Sequence, residues 1–191
     1  MKHLTRVAAV AATTALATAG LVGTATTAEA KAAKLTTSYT CSTALMDFDL
    51  PVTMTTNLPA KAKAGKKVKA SKVTIQVTVP ADVVGAAKAF LGVTELGGGI
   101  TGDLTAGKTK IALSGNMPAQ DLTDVAGDLV LPGKGKTGAF KIAKKGNYVV
   151  KAPSVVKFSP INQDGEAFIG EVSCSLAKGA KSKLGTIKVT K

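Results

Sequence analysis

Histidine, arginine and tryptophan are nearly absent from this chain. It has no tryptophan, and its one histidine, His3, and one arginine, Arg6, both lie at its start. Histidine is the commonest general base and a common metal ligand, and arginine grips phosphate through a planar, two-pronged contact. Aromatic residues, which stack on bases, make up only 4% of the chain. We therefore expect no enzyme, no catalytic residue, no bound metal or cofactor, and no nucleic-acid partner.

The first thirty residues are typical of a secretory signal peptide. Residues 2–6 carry three basic side chains, residues 7–28 are uncharged, and residues 28–30 (Ala-Glu-Ala) form a small-x-small cleavage site. We predict that residues 1–30 are removed and that residues 31–191 are exported without a membrane span. An uncleaved membrane anchor is the alternative, but a run so rich in Ala, Thr and Gly is weakly hydrophobic.

Charge of one sign dominates what remains. Removal of residues 1–30 changes the net charge from +13 to +12, carried by 23 lysines against 11 acidic residues. Lysine is a hydrated point charge suited to loose attraction of polyanions. Six lysines fall within twelve positions: Lys61, Lys63, Lys66, Lys67, Lys69 and Lys72. They are the candidate contacts for anionic cell-wall or extracellular polymers, and a merely solvated loop is the alternative.

Cysteine is also scarce, with only Cys41 and Cys174 present. An exported protein with two cysteines is most simply interpreted as holding one disulfide. Both residues lie in alternating apolar and polar contexts, which places them on the inward faces of two strands. The bond would join the first strand to the penultimate one.

Strand patterns dominate the sequence. Residues 73–79 alternate apolar and polar until Pro80, and residues 48–55 alternate in the same way. One short amphipathic helix is predicted over residues 82–91, with an apolar face made of Val83, Ala87, Phe90 and Leu91. Further strands are predicted near residues 109–114, 127–131, 138–143, 148–151, 155–158, 168–176 and 186–190. Turns or exposed connections are predicted at residues 61–72, 133–136 and 144–146. Many short strands with one helix favour an all-β sandwich.

Two nucleotide-binding patterns occur back to back, and we reject both. Residues 97–102 fit G-x-G-x-x-G, and residues 102–109 fit the P-loop pattern. Each motif works by presenting backbone N–H groups at the start of a helix. Residues 110–115 alternate like a strand instead. We interpret the region as a glycine-rich connection followed by a lysine-bearing hairpin turn.

Two weaker patterns also suggest chemistry. Ser154 and Lys157 fit the first element of a serine acyl-enzyme signature, but the Lys-Thr-Gly element at residues 136–138 precedes it and the Ser-Asp-Asn element is missing. Asp121, Asp124 and Asp128 share one loop, where a calcium site is the alternative to helix capping and solvated turns.

The order of several short motifs resembles a known family. These are residues 38–41 (Ser-Tyr-Thr-Cys), the strand and helix start at residues 73–84, and residues 172–176 (Val-Ser-Cys-Ser-Leu) before a final strand. Together they resemble a family of exported actinobacterial proteins with a domain of unknown function, over residues 34–191. The resemblance implies an immunoglobulin-like β-sandwich and an exported location, and it implies no activity.

The sequence thus predicts an all-β protein: a signal peptide at residues 1–30 and a disulfide-closed, immunoglobulin-like β-sandwich with one short helix at residues 31–191. We expect a secreted, non-enzymatic module, loosely associated with the cell wall through anionic polymers. One alternative is a protease inhibitor that uses residues 61–72 as an exposed loop. The other is a secreted hydrolase that uses only Ser, Asp and Lys.

Overall fold

The computed structural model describes residues 30–44, 46–167 and 169–191. Within these residues the chain forms thirteen β-strands and one α-helix. The elements are β1 (Ala30–Ser42), β2 (Asp47–Pro59), β3 (Lys61–Lys63), β4 (Lys67–Val68), β5 (Lys72–Val79), α1 (Ala81–Leu91), β6 (Glu95–Ala106), β7 (Thr109–Asp121), β8 (Leu129–Thr137), β9 (Phe140–Lys141), β10 (Gly146–Lys151), β11 (Val155–Ile161), β12 (Val172–Leu176) and β13 (Lys183–Thr190). The predicted signal peptide lies outside the described residues except for Ala30, and its removal stays a prediction.

Local pattern explains most of these elements. In β5 every second residue from Val73 to Val79 is buried, as expected for a strand with one face on a core. Helix α1 begins after Pro80 and ends at Gly92, which adopts the left-handed conformation with φ +62°. This agrees with the predicted helix to within one residue. The predicted turn at residues 133–136 is wrong, because these residues lie inside β8.

Eight of the strands form a closed ring. Their order is β11, β12, β1, β2, β5, β8, β7, β6, and β6 then pairs with β11, all antiparallel. The predicted immunoglobulin-like sandwich is therefore wrong, and the fold is a closed eight-stranded barrel with one short helix. A sandwich needs two sheets packed face to face, whereas here a single sheet curls until its edges pair.

The disulfide joins neighbouring strands of the barrel. Cys41 in β1 lies opposite Cys174 in β12, and their sulfur atoms are bonded. Both residues are fully buried and are separated by 133 positions in the sequence. The predicted disulfide is confirmed, and it fixes the first strand of the ring beside the last one.

Side chains fill the barrel interior. The largest of those less than 2% exposed include Tyr39, Leu50, Met54, Ile75, Ile100, Leu104, Ile111, Met117 and Leu131. Eight strands enclose a space just wide enough for such side chains, so the barrel has a packed core.

Three strands extend the sheet beyond the ring. β10 pairs with the last two residues of β6, β13 pairs with β10, and β3 pairs in parallel with β13. The β13 strand also packs against β1 and β2. A separate two-stranded sheet, β4 with β9, lies beside this extension. One end of the molecule is thus two layers thick.

Glycine allows the ring to close at β6. Residues 97–102 lie inside this strand, so their interpretation as a connection is wrong. A Cβ atom at Gly98, where φ is +153°, would lie 2.5 Å from the carbonyl oxygen of Ser159 in β11. A side chain there would force the two strands apart. Gly107 and Lys108 form the two-residue turn between β6 and β7, as predicted.

Candidate functional site

The barrel has two chemically different ends. The disulfide end carries the Cys41–Cys174 bond, α1, and the β1–β2, β7–β8 and β11–β12 connections. The lysine end lies at the opposite end of the strands and carries β3, β4, β9 and the β6–β7 turn. Both ends are candidate sites, and their side chains differ in charge and in packing.

Acidic residues gather at the disulfide end. Ten of the eleven acidic residues in the described part of the chain lie there, and the exception is Asp103 in the wall of the barrel. The ten are Asp47, Asp49, Asp82, Glu95, Asp121, Asp124, Asp128, Asp164, Glu166 and Glu171. No acidic residue occurs in residues 50–81, 129–163 or 172–191. These three segments supply all the short strands of the lysine end.

The six lysines singled out in the sequence lie at the lysine end. Lys61 and Lys63 belong to β3, Lys67 belongs to β4, and Lys72 begins β5. All six side chains are exposed, including those of Lys66 and Lys69 between the strands. The segment is therefore a folded edge, with β3 held by β13 and β4 held by β9.

Sheet register places further lysines directly opposite these. Three cross-strand pairs occur at the lysine end: Lys67 with Lys141, Lys72 with Lys136, and Lys61 with Lys188. A fourth pair, Lys151 with Lys183, lies in the extension, where β10 pairs with β13. Directly opposed residues have Cβ atoms roughly 5 Å apart, and like charges at that distance destabilise a sheet. Sequence reasoning missed Lys136, Lys141 and Lys188, because only the strand pairing shows that they join the cluster.

No ion pair neutralises these lysines within the described residues. Two ion pairs are present there, Lys110 with Asp103 at 3.9 Å and Lys157 with Glu171 at 2.6 Å. Neither includes a lysine of the four opposed pairs. The lysine end is thus a dense, exposed positive surface that lacks a protein counter-charge.

The disulfide end contains an apolar cavity of about 70 Å³ between α1 and the barrel. Its walls come from the barrel, the helix and the connections that flank them. The lining residues are Thr43, Met46, Phe48, Leu50, Val79, Val83, Ala86, Ala87, Leu91, Leu96, Phe158, Pro160, Ile169 and Val172. Thr43 is the one residue in this set with a polar side chain, and its hydroxyl donates to the carbonyl oxygen of Met46.

Helix α1 covers this cavity through few buried side chains. Only Val84 and Ala87 of the helix are buried. The predicted apolar face is therefore partly wrong: Phe90 is 78% exposed and Leu91 is 38% exposed. Polar contacts complete the attachment, since Lys88 Nζ donates to the carbonyl oxygen of Leu122 at 2.8 Å and to a neighbouring carbonyl. The sequence did contain a signal for this cavity that was missed. The residues of α1 that face the barrel are small, and their small size leaves space beneath the helix.

Comparison with known proteins identifies a family for this architecture. A family model described as a family of unknown function, DUF6801, matches residues 38–185. The chain belongs to this family. The DUF6801 match includes both cysteines, α1 and the glycine-rich β6 strand. No curated protein and no solved structure matches the chain.

Among the described residues of this DUF6801 chain, no helix has the length and apolar character needed to cross a bilayer.

The other sequence patterns have structural roles in the DUF6801 fold. Asp121 accepts a hydrogen bond from the Thr123 N–H at 2.7 Å, and its hydrogen bonds with Thr123 lower the pKa of its carboxyl group. Asp128 accepts one from the Ala81 N–H at 3.0 Å, at the start of α1. The Lys157 ammonium group is paired with Glu171. Within the described residues, no three His, Cys, Asp or Glu side chains are grouped as metal ligands.

Proposed function

We propose that this protein is an exported, non-enzymatic module of the actinobacterial cell envelope that binds anionic polymers through its lysine end. The observation that carries the proposal is the set of directly opposed lysine pairs without a carboxylate partner. Such pairs raise the free energy of the folded protein, and a bound polyanion would lower it by supplying the missing negative charge.

Export is supported by the predicted signal peptide and by the buried disulfide. Disulfides persist in oxidising compartments and are rare in the cytosol. Both observations fit a secreted protein that stays near the cell wall. Polymers of the wall and of the extracellular matrix are the polyanions such a protein would meet.

The lysine end is better suited to a polymer than to a protease or a small substrate. An inhibitor loop must offer an extended backbone to its protease, but β3 and β4 already pair with β13 and β9. A hydrolase would need an activated nucleophile, and Lys157, the lysine of the Ser154 pattern, is paired with Glu171. Lysine reads charge density, so the interaction would be weak, tolerant of polymer type and sensitive to salt.

The test compares two variants that lose the same number of charges. The first is Lys67→Gln, Lys72→Gln, Lys136→Gln and Lys141→Gln, which removes two opposed pairs at the lysine end. The control is Lys34→Gln, Lys157→Gln, Lys178→Gln and Lys181→Gln, which removes four charges from β1, β11 and the β12–β13 connection and leaves all four opposed lysine pairs intact. Binding to immobilised polyglutamate and to isolated cell walls is measured at low and high salt.

We expect the lysine-end variant to bind at least about tenfold more weakly at low salt, because each neutralised contact contributes on the order of 1 kcal/mol. The control variant should lose only the general attraction of net charge. Equal losses in the two variants would show that net charge alone drives binding. Binding that survives high salt in the wild-type protein would show that the contact is not a lysine contact.

A further inference from the structure

The cavity at the disulfide end has the properties of a ligand site. Its walls are apolar and it lies between two elements, α1 and the barrel. Apolar cavities in proteins stay free of water and bind apolar guests. One water molecule needs roughly 10–15 Å³ of such a cavity. A cavity of about 70 Å³ therefore accepts the end of a hydrocarbon chain but not a whole lipid.

The cavity reaches the surface at the end of α1. Leu91 both lines the cavity and is 38% exposed. Phe90, the preceding residue in the helix, is 78% exposed and is the most exposed large apolar side chain in the described part of the chain. A chain whose end occupies the cavity could continue over these two side chains into solvent. This surface also explains why such a large aromatic residue is exposed in a lysine-rich protein.

The charged side chains at this end favour one kind of polar head group on a chain that occupies the cavity. Ten of the eleven acidic residues in the described part of the chain lie at this end of the barrel, among them Asp47, Asp82 and Glu95. The lysines nearby are engaged, since Lys88 binds backbone carbonyl groups and Lys157 pairs with Glu171. An anionic head group would meet uncompensated carboxylates here, whereas a cationic one would be attracted.

We infer that the cavity beneath α1 binds the hydrocarbon end of a single-chain amphiphile with a cationic head group. The site is separate from the polyanion surface and lies at the opposite end of the barrel. The protein would thus hold an anionic polymer at one end and a cationic amphiphile at the other.

The test uses two probes with the same chain length, decyltrimethylammonium and decanoate, below their micellar concentrations. Binding is followed by the NMR shifts of the Val79, Leu96 and Val172 methyl groups, which line the cavity. This readout separates cavity binding from attraction of decanoate to the lysine end. We expect saturable shifts with decyltrimethylammonium and about fivefold weaker binding of decanoate.

Two helix variants locate the site. Ala86→Phe places a ring in the cavity, whereas Ala89→Phe adds the same ring to an exposed position of α1 that does not line it. Ala86→Phe should weaken binding about tenfold or more, and Ala89→Phe should leave it unchanged. The charge variant Asp47→Asn with Glu95→Gln, which alters no cavity wall, should bring the two probes to nearly equal affinity.

Absence of cavity shifts with either probe would overturn the inference. Tighter binding of decanoate at these methyl groups would overturn the assigned head group. Equal losses in the two phenylalanine variants would show that the probes bind the outer surface of the helix and not the cavity.

Discussion

The lysine end and the disulfide end of the barrel are stabilised in opposite ways. At the lysine end, apolar side chains such as Phe140, Ile142, Ile187 and Val189 are buried, while strand pairing brings like charges together. At the disulfide end the strands are covalently joined, while a cavity remains beneath α1. The lysine end is well packed, but repulsion between its lysines raises the free energy of the folded protein. The disulfide end is closed by a covalent bond, but its cavity costs packing energy. Each cost marks the surface for which we propose a partner.

The largest expected effect on this contrast comes from removing the disulfide. Cys41→Ala with Cys174→Ala should lower the free energy of unfolding by about 2–5 kcal/mol, because the bond closes a long loop of the unfolded chain. The matched control is Thr40→Ala with Ser175→Ala, the next opposed pair, which faces outward. This control should lower the free energy of unfolding by only about 0.5 kcal/mol. Urea denaturation measures both, and equal losses would mean that the bond adds no stability to this end.

The second test uses the two tyrosines. The hydroxyl of Tyr39 donates to the carbonyl oxygen of Pro153 within the core, at 3.1 Å. Tyr39→Phe should cost about 1–3 kcal/mol, because it leaves that carbonyl without its partner. The control, Tyr148→Phe, removes an exposed hydrogen bond to the carbonyl oxygen of Lys144 and should cost less.

The effect of Tyr39 depends on pH. Burial raises the pKa of its phenol above the ordinary value near 10. The contribution of Tyr39 to the free energy of unfolding is therefore complete below about pH 10. It is lost as the pH rises further, because the tyrosine of the unfolded chain releases its phenol proton at a lower pH than that of the folded chain. The stability difference between the wild-type protein and Tyr39→Phe should shrink above about pH 10 in urea denaturation. A difference that is constant from pH 8 to 11.5 would contradict the buried, neutral phenol.

The smallest expected effect concerns one opposed lysine pair. Lys141→Glu replaces the repulsion with Lys67 by an attraction and should stabilise the fold by about 0.5 kcal/mol at low salt. The gain should vanish at high salt. Lys178→Glu makes the same charge change outside any strand pair and is the control. If both variants gain equally, relief of net charge explains the result, and the lysine end has no special cost.

Local features of this fold could be predicted from the sequence. The alternation at residues 73–79 gave a strand and its buried face, and Gly92 gave the end of the helix. The disulfide followed from the number of cysteines and the predicted export. These features depend on residues that are close together in the sequence, so a single sequence is enough to predict them.

Features that depend on which strands become neighbours could not be predicted. The same alternation suits a sandwich and a barrel, so the closure of β6 on β11 had no local signal. Residues 97–102 resembled a connection because the close approach of β11 at Gly98 was unknown. The cluster of lysines was found, but its partners Lys136 and Lys141 came from register alone.

The order of strands in the ring determines when the chain can complete its fold. β1 lies between β2, its immediate successor, and β12, which is made almost 130 residues later than β1. Until β12 is synthesised, one edge of β1 has no partner, and β6 likewise waits for β11. Unpaired edges invite association with other chains, and pairing across long separations is slow. The excess of lysine opposes such association, because mutual repulsion keeps unfinished chains apart.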